Sequence, residues 1–466
     1  MFIGRERELA ALNKLYKSGK FEFCVIYGRR RVGKTALISE FIKNKMAIYF
    51  TGIESNAKQN LENLSGCIME DGSSVRAEAS FSSFQAAFEY VFKLASETRL
   101  ILVIDEYPYL ARASESLAST LQMLIDKYKH NSKLMLILCG SSMSYMEDEV
   151  LAYKAPLYGR RTAQFKLLPF EFAEVCHYLR NFTYQDRALL YGAVGGTPQY
   201  LLQIDQNVNV AENIKEIFLN PNSSLFEEPE NLLKQEMREP TLYNAIIFTI
   251  ANGASKLSEI ATKVGETTAT CSVYLRNLIS LGLVKKENPY GETASRKTIY
   301  ALEDNMFRFW YRFVLNNKSL IFRGAADLVL KRIEPYFSEY MGPVFEQICQ
   351  QYLWHLLLQG RLSIEFTELG RWWGNDPIAK KQTEIDIMGV QEKNKALFAK
   401  CKWINDKVDQ EVLETLIKRS HLFSYAQTQL FVFSKSGFTQ NCLELAKQLG
   451  NVSLVTFDDI AKEFVK

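Results

Sequence analysis

Four apolar runs mark the first third of the chain: FEFCVIY (21–27), MAIYF (46–50), LILVID (100–105) and KLMLILCG (133–140). Each is short, rich in β-branched or aromatic residues, and bounded by glycine or polar positions. Such runs fit strands covered on both faces, as in a parallel sheet. Between them, TALISEFIK and FSSFQAAFEYVFKLASE (81–97) carry apolar residues at helical spacing. The alternation predicts a three-layer α/β domain over 1–165. From 166 to 236 the pattern turns helical, interrupted by GGTP (195–198) and NPNSS (220–224), and predicts a helical lid.

Residues 237–303 read as a compact unit. TLYNAIIFTIANG, KLSEIATKVG and TTATCSVYLRNLISLGLV predict three helices, and KKENPYGETASRKTIYALED predicts a hairpin with NPYG at its tip. Three helices followed by a two-stranded wing is the winged-helix arrangement. A helical connector covers 304–334. The pattern then returns to α/β over 335–466, with a long helix at 335–358 and strands at 383–390, 396–402, 429–434 and 452–457.

Composition adds bounds. The 466 residues suffice for about three cores, and 47% hydrophobic with 23% charged residues is an ordinary globular mixture. A net charge of +3 excludes a strongly basic protein overall and leaves room for a local basic face. The eight cysteines form no C-x-x-C pair and mostly sit in apolar runs, as small buried hydrophobes do. Four histidines argue against a metal-ligand cluster. MFIGRERELAAL has no signal-peptide pattern, and no apolar run approaches 18 residues, so the expected compartment is the cytoplasm with no membrane span.

The chemistry begins at GRRRVGKT (28–35), which matches G-x-x-x-x-G-K-T. A chance match in a chain of this length arises only about one or two times in a hundred, and this one follows an apolar strand and opens a helix. Gly28 and Gly33 allow a tight turn around an anion, backbone N–H groups face the phosphates, and Lys34 reaches the β and γ oxygens. The expected nucleotide contacts are Gly28, Arg29, Arg30, Arg31, Val32, Gly33, Lys34, Thr35 and Ala36, with the Thr35 hydroxyl on Mg²⁺.

ILVIDEYPYL (101–110) puts Asp105 and Glu106 at a strand tip, where ligands bind in open α/β sheets. Asp105 is expected to hold Mg²⁺, and Glu106 to act as base for the attacking water. In LMLILCGSS, Ser141 or Ser142 either senses the γ-phosphate or caps the helix that follows. In LYGRRT (157–162), Arg160 or Arg161 is a candidate to stabilise the transferring phosphoryl group, in cis or from a neighbouring subunit; a surface basic pair is the plain alternative.

Together FIGRERELAAL, VIYGRRRVGKT, LILVIDEYPYL, ILCGSS, LYGRRT and GGTPQYL resemble the archaeal-type ATPases, a branch of the AAA+-like and STAND P-loop NTPases. The resemblance covers roughly the first half of the chain. It implies ATP and Mg²⁺ as cofactors, Ile3, Gly4 and Arg5 near the nucleotide, and Pro198 of a helical lid beside the adenine.

The second half resembles the uncharacterised C-terminal domain that often follows this ATPase, which looks like a restriction-endonuclease-type (PD-(D/E)xK) fold. The matching residues are Glu346, Glu384, Asp386 and Lys402. Where such a site expects Glu-x-Lys, this chain reads Lys400-Cys401-Lys402. A cation in place of an acidic ligand repels Mg²⁺, so the resemblance implies a degenerate nuclease fold with a binding or scaffold role.

DNA is a candidate partner through Lys256, Lys263, Arg276, Lys285, Lys286, Arg296 and Lys297 of the winged-helix segment. A second copy of the chain or another protein is the alternative partner. RWWG (371–374) and Trp403 read as packing aromatics.

Overall fold

A computed structural model describes residues 2–69, 80–237, 239–293, 295–377, 380–392 and 394–465. By internal contacts the chain forms two compact units. One is Met1–Pro169 with Thr197–Gln199; the other is Phe170–Gly196 with Tyr200–Lys466.

The first unit is built on five strands: β1 (Glu22–Tyr27), β2 (Ala47–Thr51), β3 (Leu100–Asp105), β4 (Leu134–Gly140) and β5 (Ala163–Lys166). They pair in the order β2-β3-β4-β1-β5, parallel throughout. Every residue of β1, β3 and β4 is buried. Cys24, Ile26, Ile101, Val103, Met135 and Ile137 pack against Leu12 of the helix Glu6–Lys17 and Leu37, Ile38 and Phe41 of the helix Lys34–Ile42. Alternate residues such as Val25, Leu102 and Leu136 point the other way and are buried as well. The helices Phe84–Glu97 and Leu117–Tyr128 contribute buried apolar residues to that side. Coverage of both faces is the physical reason these strands read as apolar runs.

The second unit is helical through the helix Glu228–Glu236. The helices Pro240–Ala251, Leu257–Val264 and Thr268–Ser280 follow, and then an antiparallel hairpin of β6 (Val284–Glu287) and β7 (Ile299–Leu302). After the long helix Phe337–Leu358 comes a mixed sheet of β8 (Gly370–Asp376), β9 (Lys381–Gln391), β10 (Lys395–Lys402), β11 (Gln427–Ser434) and β12 (Val452–Thr456). Its order is β12-β11-β10-β9-β8, with β8–β9–β10 antiparallel and β10–β11–β12 parallel. The hairpin loop is tied to this sheet. The Tyr290 N–H donates to the Arg371 carbonyl (2.9 Å), and the Tyr290 hydroxyl accepts from the Val390 N–H (3.0 Å). Among the described residues no helix is long and apolar enough to cross a membrane.

Within the second unit the chain closes on itself where the Phe170 N–H donates to the Gly196 carbonyl (2.7 Å). A Cβ at Gly196 would overlap the Phe170 carbonyl, a backbone group that cannot swing away. Gly196→Ala is therefore expected to destabilise the protein by about 3 kcal/mol. A urea midpoint unchanged from wild type would refute this.

Candidate active site

The parallel register brings the C-terminal ends of four strands to one level. Tyr27 of β1 lies opposite Gly140 of β4, and Thr51 of β2 lies opposite Asp105 of β3. The loop 28–33 leaves β1 at that level and enters the helix Lys34–Ile42 through Gly33, whose φ of 90° disfavours a side chain. A Cβ on Gly28 would sit 2.5 Å from the Leu167 carbonyl oxygen, so only glycine fits there.

Inside the loop the Lys34 ammonium, on a residue only 6% exposed, donates to the carbonyls of Gly28 (2.8 Å) and Arg29 (3.0 Å). The Thr35 hydroxyl donates to Asp105 Oδ2 (3.1 Å). Asp105 Oδ1 accepts the Glu106 N–H (2.9 Å), and Glu106 itself is held at φ 49°. The Ser141 hydroxyl (2.8 Å) and N–H (3.3 Å) both donate to Glu106 Oε2. Ser141 thus meets the carboxylate, while Ser142 occupies the N-cap position of the short helix that follows. These groups suit a phosphate-bound Mg²⁺: hard oxygen donors at Thr35 and Asp105, an ammonium beside a glycine-bounded loop, and a helix N-terminus.

The other N-terminal candidates converge as well. Arg5, at φ 67°, donates to the carbonyls of Val32 (3.1 Å) and Leu168 (2.5 Å), and Gly4 beside it is buried. Arg29 is buried and donates to the Thr197 hydroxyl (2.6 Å), and Arg30 donates to the Tyr109 hydroxyl (2.9 Å). The Gln199 N–H reaches the Arg31 carbonyl (3.4 Å), and Pro198 lies 3.6 Å from where a Gly33 Cβ would stand. Val32 is buried in the core, Ile3 is half-buried, and Ala36 is exposed beyond the loop.

Arg160 and Arg161 require correction as catalytic groups acting in cis. Ala163 pairs with Cys24, and the Thr162 N–H donates to the Phe23 carbonyl, so both arginines lie at the entry of β1. The loop leaves the other end of that strand, roughly 20 Å away at ~3.3 Å per residue. Arg160 is occupied by Asp126 (2.6 Å) and by the carbonyls of Pro156 and Tyr158. Arg161 lies over the Tyr158 ring.

Tyr49 was not legible as a site residue. Its hydroxyl donates to Asp105 Oδ2 at 2.5 Å from the neighbouring strand. Burial, and then the carboxylate itself, pushes its phenol well above the usual range, so it stays a donor. The one available signal was its place in an apolar strand beside β3.

In the second unit Asp386 is almost fully buried. It accepts the Lys400 ammonium (2.6 Å) and the Cys401 N–H (2.8 Å). Glu384 pairs with Arg371. Among the described residues no group of three or more His, Cys, Asp or Glu is arranged to hold a metal ion. Of the basic residues near the hairpin, Lys263 pairs with Glu259, Lys285 with Glu287 and Lys297 with Glu292, while Arg276 and Lys286 are exposed.

A parallel five-stranded sheet with a glycine-bounded loop between β1 and its helix defines the P-loop NTPase class. Residues 2–204 match the family described as an ATPase domain predominantly from Archaea, and residues 310–413 match one described as archaeal and bacterial proteins of unknown function. An uncharacterized protein of Methanocaldococcus jannaschii is 31% identical over 426 residues, 91% of this chain and 92% of that one. An uncharacterized ATP-binding protein of the same organism is 47% identical over 45 residues, 10% of this chain and 76% of that one. Among solved structures, the Walker-type ATPase of Pyrococcus abyssi aligns with a TM-score of 0.52 at 19% identity, over 67% of this chain and 96% of that one. The chain belongs to the archaeal ATPase family, with the ATPase domain placed ahead of that domain of unknown function.

Burial, with Asp386 next, pushes the Glu346 carboxyl up to about 7. A folded-state value above the unfolded one favours folding below the unfolded value, and that contribution is lost as pH rises through about 7. Glu346→Gln is expected to gain stability relative to wild type between pH 5 and pH 8. Urea midpoints whose difference stays constant over that range would contradict it.

Proposed function

We propose that this protein is a Mg²⁺-dependent ATPase that uses ATP binding and hydrolysis as a conformational switch. The observation that carries the reading is the meeting of Lys34, Thr35, Asp105, Glu106 and Ser141 at the C-terminal ends of the strands. When bound, ATP–Mg²⁺ supplies the electrophilic γ-phosphoryl group and neutralises part of its charge.

The chain's own residues do the rest. Lys34 exchanges two carbonyl partners for phosphate oxygens, which are stronger acceptors for an ammonium. Thr35 and Asp105 hold the metal, and Tyr49 orients Asp105. Glu106 accepts the proton of the attacking water, with Ser141 fixing its carboxylate. Backbone amides of the loop, with Arg29, Arg30 and Arg31 close by, supply positive potential. Arg5 and Ile3 lie on the nucleotide side, as does Pro198. A role for Arg160 or Arg161 in phosphoryl transfer then requires a second copy of the chain.

The switch is argued from Arg29. It holds Thr197 of a three-residue segment whose flanks, 170–196 and 200–466, belong to the second unit. A change at the loop on phosphate binding is felt at that segment first. DNA is the proposed partner of the exposed Arg276 and Lys286. The proposal gives the C-terminal domain a binding role, because Lys400 and Arg371 satisfy the acids a nuclease would need for metal.

Glu106→Gln is expected to keep ATP binding and lose phosphate release by about 10²- to 10³-fold. Lys34→Ala is expected to lose both. Phosphate release and equilibrium dialysis with ATP separate the two steps. Turnover by Glu106→Gln at the wild-type rate removes Glu106 as the base, and wild-type turnover by Lys34→Ala overturns the assignment as a whole.

A further inference from the structure

The three arginines of the loop 28–33 are directed differently. The Arg29 guanidinium donates to the Thr197 hydroxyl (2.6 Å). Arg31 takes a left-handed turn at φ 72°, and its carbonyl accepts the Gln199 N–H. Arg30 reaches across the sheet, and its Nη2 donates to the Tyr109 hydroxyl (2.9 Å). Arg30 and Tyr109 are both half-buried, so neither is sealed from solvent.

Tyr109 is placed by the proposed base. Glu106 holds the N-cap position of the helix Tyr107–Ala113, and the Tyr109 N–H donates to the Glu106 carbonyl (3.0 Å). Tyr107 and Pro108 are buried, and a Cβ on Gly140 would stand 2.9 Å from Pro108 Cδ, so this first turn packs on the end of β4. β4 lies between β1 and β3. The contact of Arg30 with Tyr109 therefore runs from the β1 side to the β3 side, past the point where Ser141 holds Glu106. On the other flank is the ammonium. Lys34 donates to the carbonyl of the peptide that joins Arg29 to Arg30. A guanidinium there is bracketed by the loop lysine and the base.

On the ATPase reading of this site, we propose that Arg30 is a catalytic residue acting in cis. It exchanges the Tyr109 hydroxyl for oxygens of the γ-phosphoryl group, which are stronger acceptors for a guanidinium than a neutral phenol is. In the step it serves, Glu106 takes a proton from water as the water oxygen bonds the γ-phosphorus. The bond from that phosphorus to the β–γ bridging oxygen breaks, and ADP leaves with the electron pair. Arg30 takes neither proton nor electrons; it offsets the charge that gathers on the γ and bridging oxygens. Arg160 and Arg161, at the entry end of β1, lie too far off for that role in the same chain.

The test compares full-length Arg30→Gln and Tyr109→Phe with wild type. Phosphate release gives turnover, and equilibrium dialysis with Mg²⁺ gives the affinities for ADP and, separately, for β,γ-imido-ATP. Arg30→Gln is expected to lose turnover by about 10³-fold. It is expected to bind the imido analogue about tenfold more weakly and ADP as wild type does, because ADP lacks the group that Arg30 meets. The unchanged ADP affinity also reports an intact fold. Tyr109→Phe removes the contact and keeps the guanidinium, so it is expected to retain most of the turnover and the analogue affinity. The proposal is overturned if Arg30→Gln keeps wild-type turnover or wild-type affinity for the analogue, or if it weakens ADP and the analogue alike. It is overturned too if Tyr109→Phe reproduces the losses of Arg30→Gln, which would make the contact a structural tie. An equimolar mixture of Arg30→Gln and Glu106→Gln chains should stay inactive, since both groups serve one site. Restored turnover would move the arginine to a neighbouring copy and overturn the assignment in cis. A wild-type chain that releases no phosphate refutes the ATPase reading instead, and the comparison of analogue with ADP then decides by itself whether Arg30 meets the γ-phosphoryl group.

Discussion

A buried ammonium sets the terms for the first unit. Lys34 is sealed within the loop and closes it by bridging the carbonyls of Gly28 and Arg29. Burying a cation is costly compared with leaving it in water. The arrangement persists because the loop has little freedom. Gly28 is pressed against Leu167, Gly33 takes a left-handed turn, and Val32 is anchored in the core. A triphosphate offers that ammonium stronger acceptors than carbonyls do, and three arginines in the same loop add positive potential.

The second constraint is register. Asp105 and Lys34 lie far apart in sequence and come together because β1, β3 and β4 end level. Strand order matters as much. β4 runs between β1 and β3, so the residue that leaves β4, Ser141, meets the Glu106 that leaves β3. β2 flanks β3 on the other side and delivers the Tyr49 hydroxyl to Asp105. Each carboxylate therefore has partners from an adjacent strand, which fixes its orientation more firmly than a loop would.

What was legible in the sequence follows from the same physics. β1, β3 and β4 were readable because burial on both faces leaves an apolar run, β2 because MAIYF is apolar even though only alternate residues are buried, and the loop because its chemistry is local in sequence. β5 was not, since AQFK is four residues with exposure alternating along the edge of the sheet. β8 was hidden for a related reason: GRWWGND carries two glycines and an aspartate, and becomes a strand only by pairing with β9. The register that places Arg160 and Arg161 at the wrong end of β1 has no trace in YGRRT itself. Nor did NPYG reveal that its tyrosine is fastened to β8 and β9, which ties the hairpin loop down rather than leaving it free.

The C-terminal acids show how one substitution redirects a site. A carboxylate at position 400 would have faced Asp386 across β9 and β10 and repelled it, unless a cation lay between them. Lysine there supplies the cation covalently. Its ammonium lies 2.6 Å from Asp386, and the Cys401 N–H takes the other oxygen. Removing one partner of so buried a pair would leave an uncompensated charge, costing about 3–5 kcal/mol, so the pair holds β9 to β10 as structure. Glu346 is left in a low-dielectric pocket beside an acid already satisfied, which is why its carboxyl holds its proton so firmly. The acids are thus spent on folding.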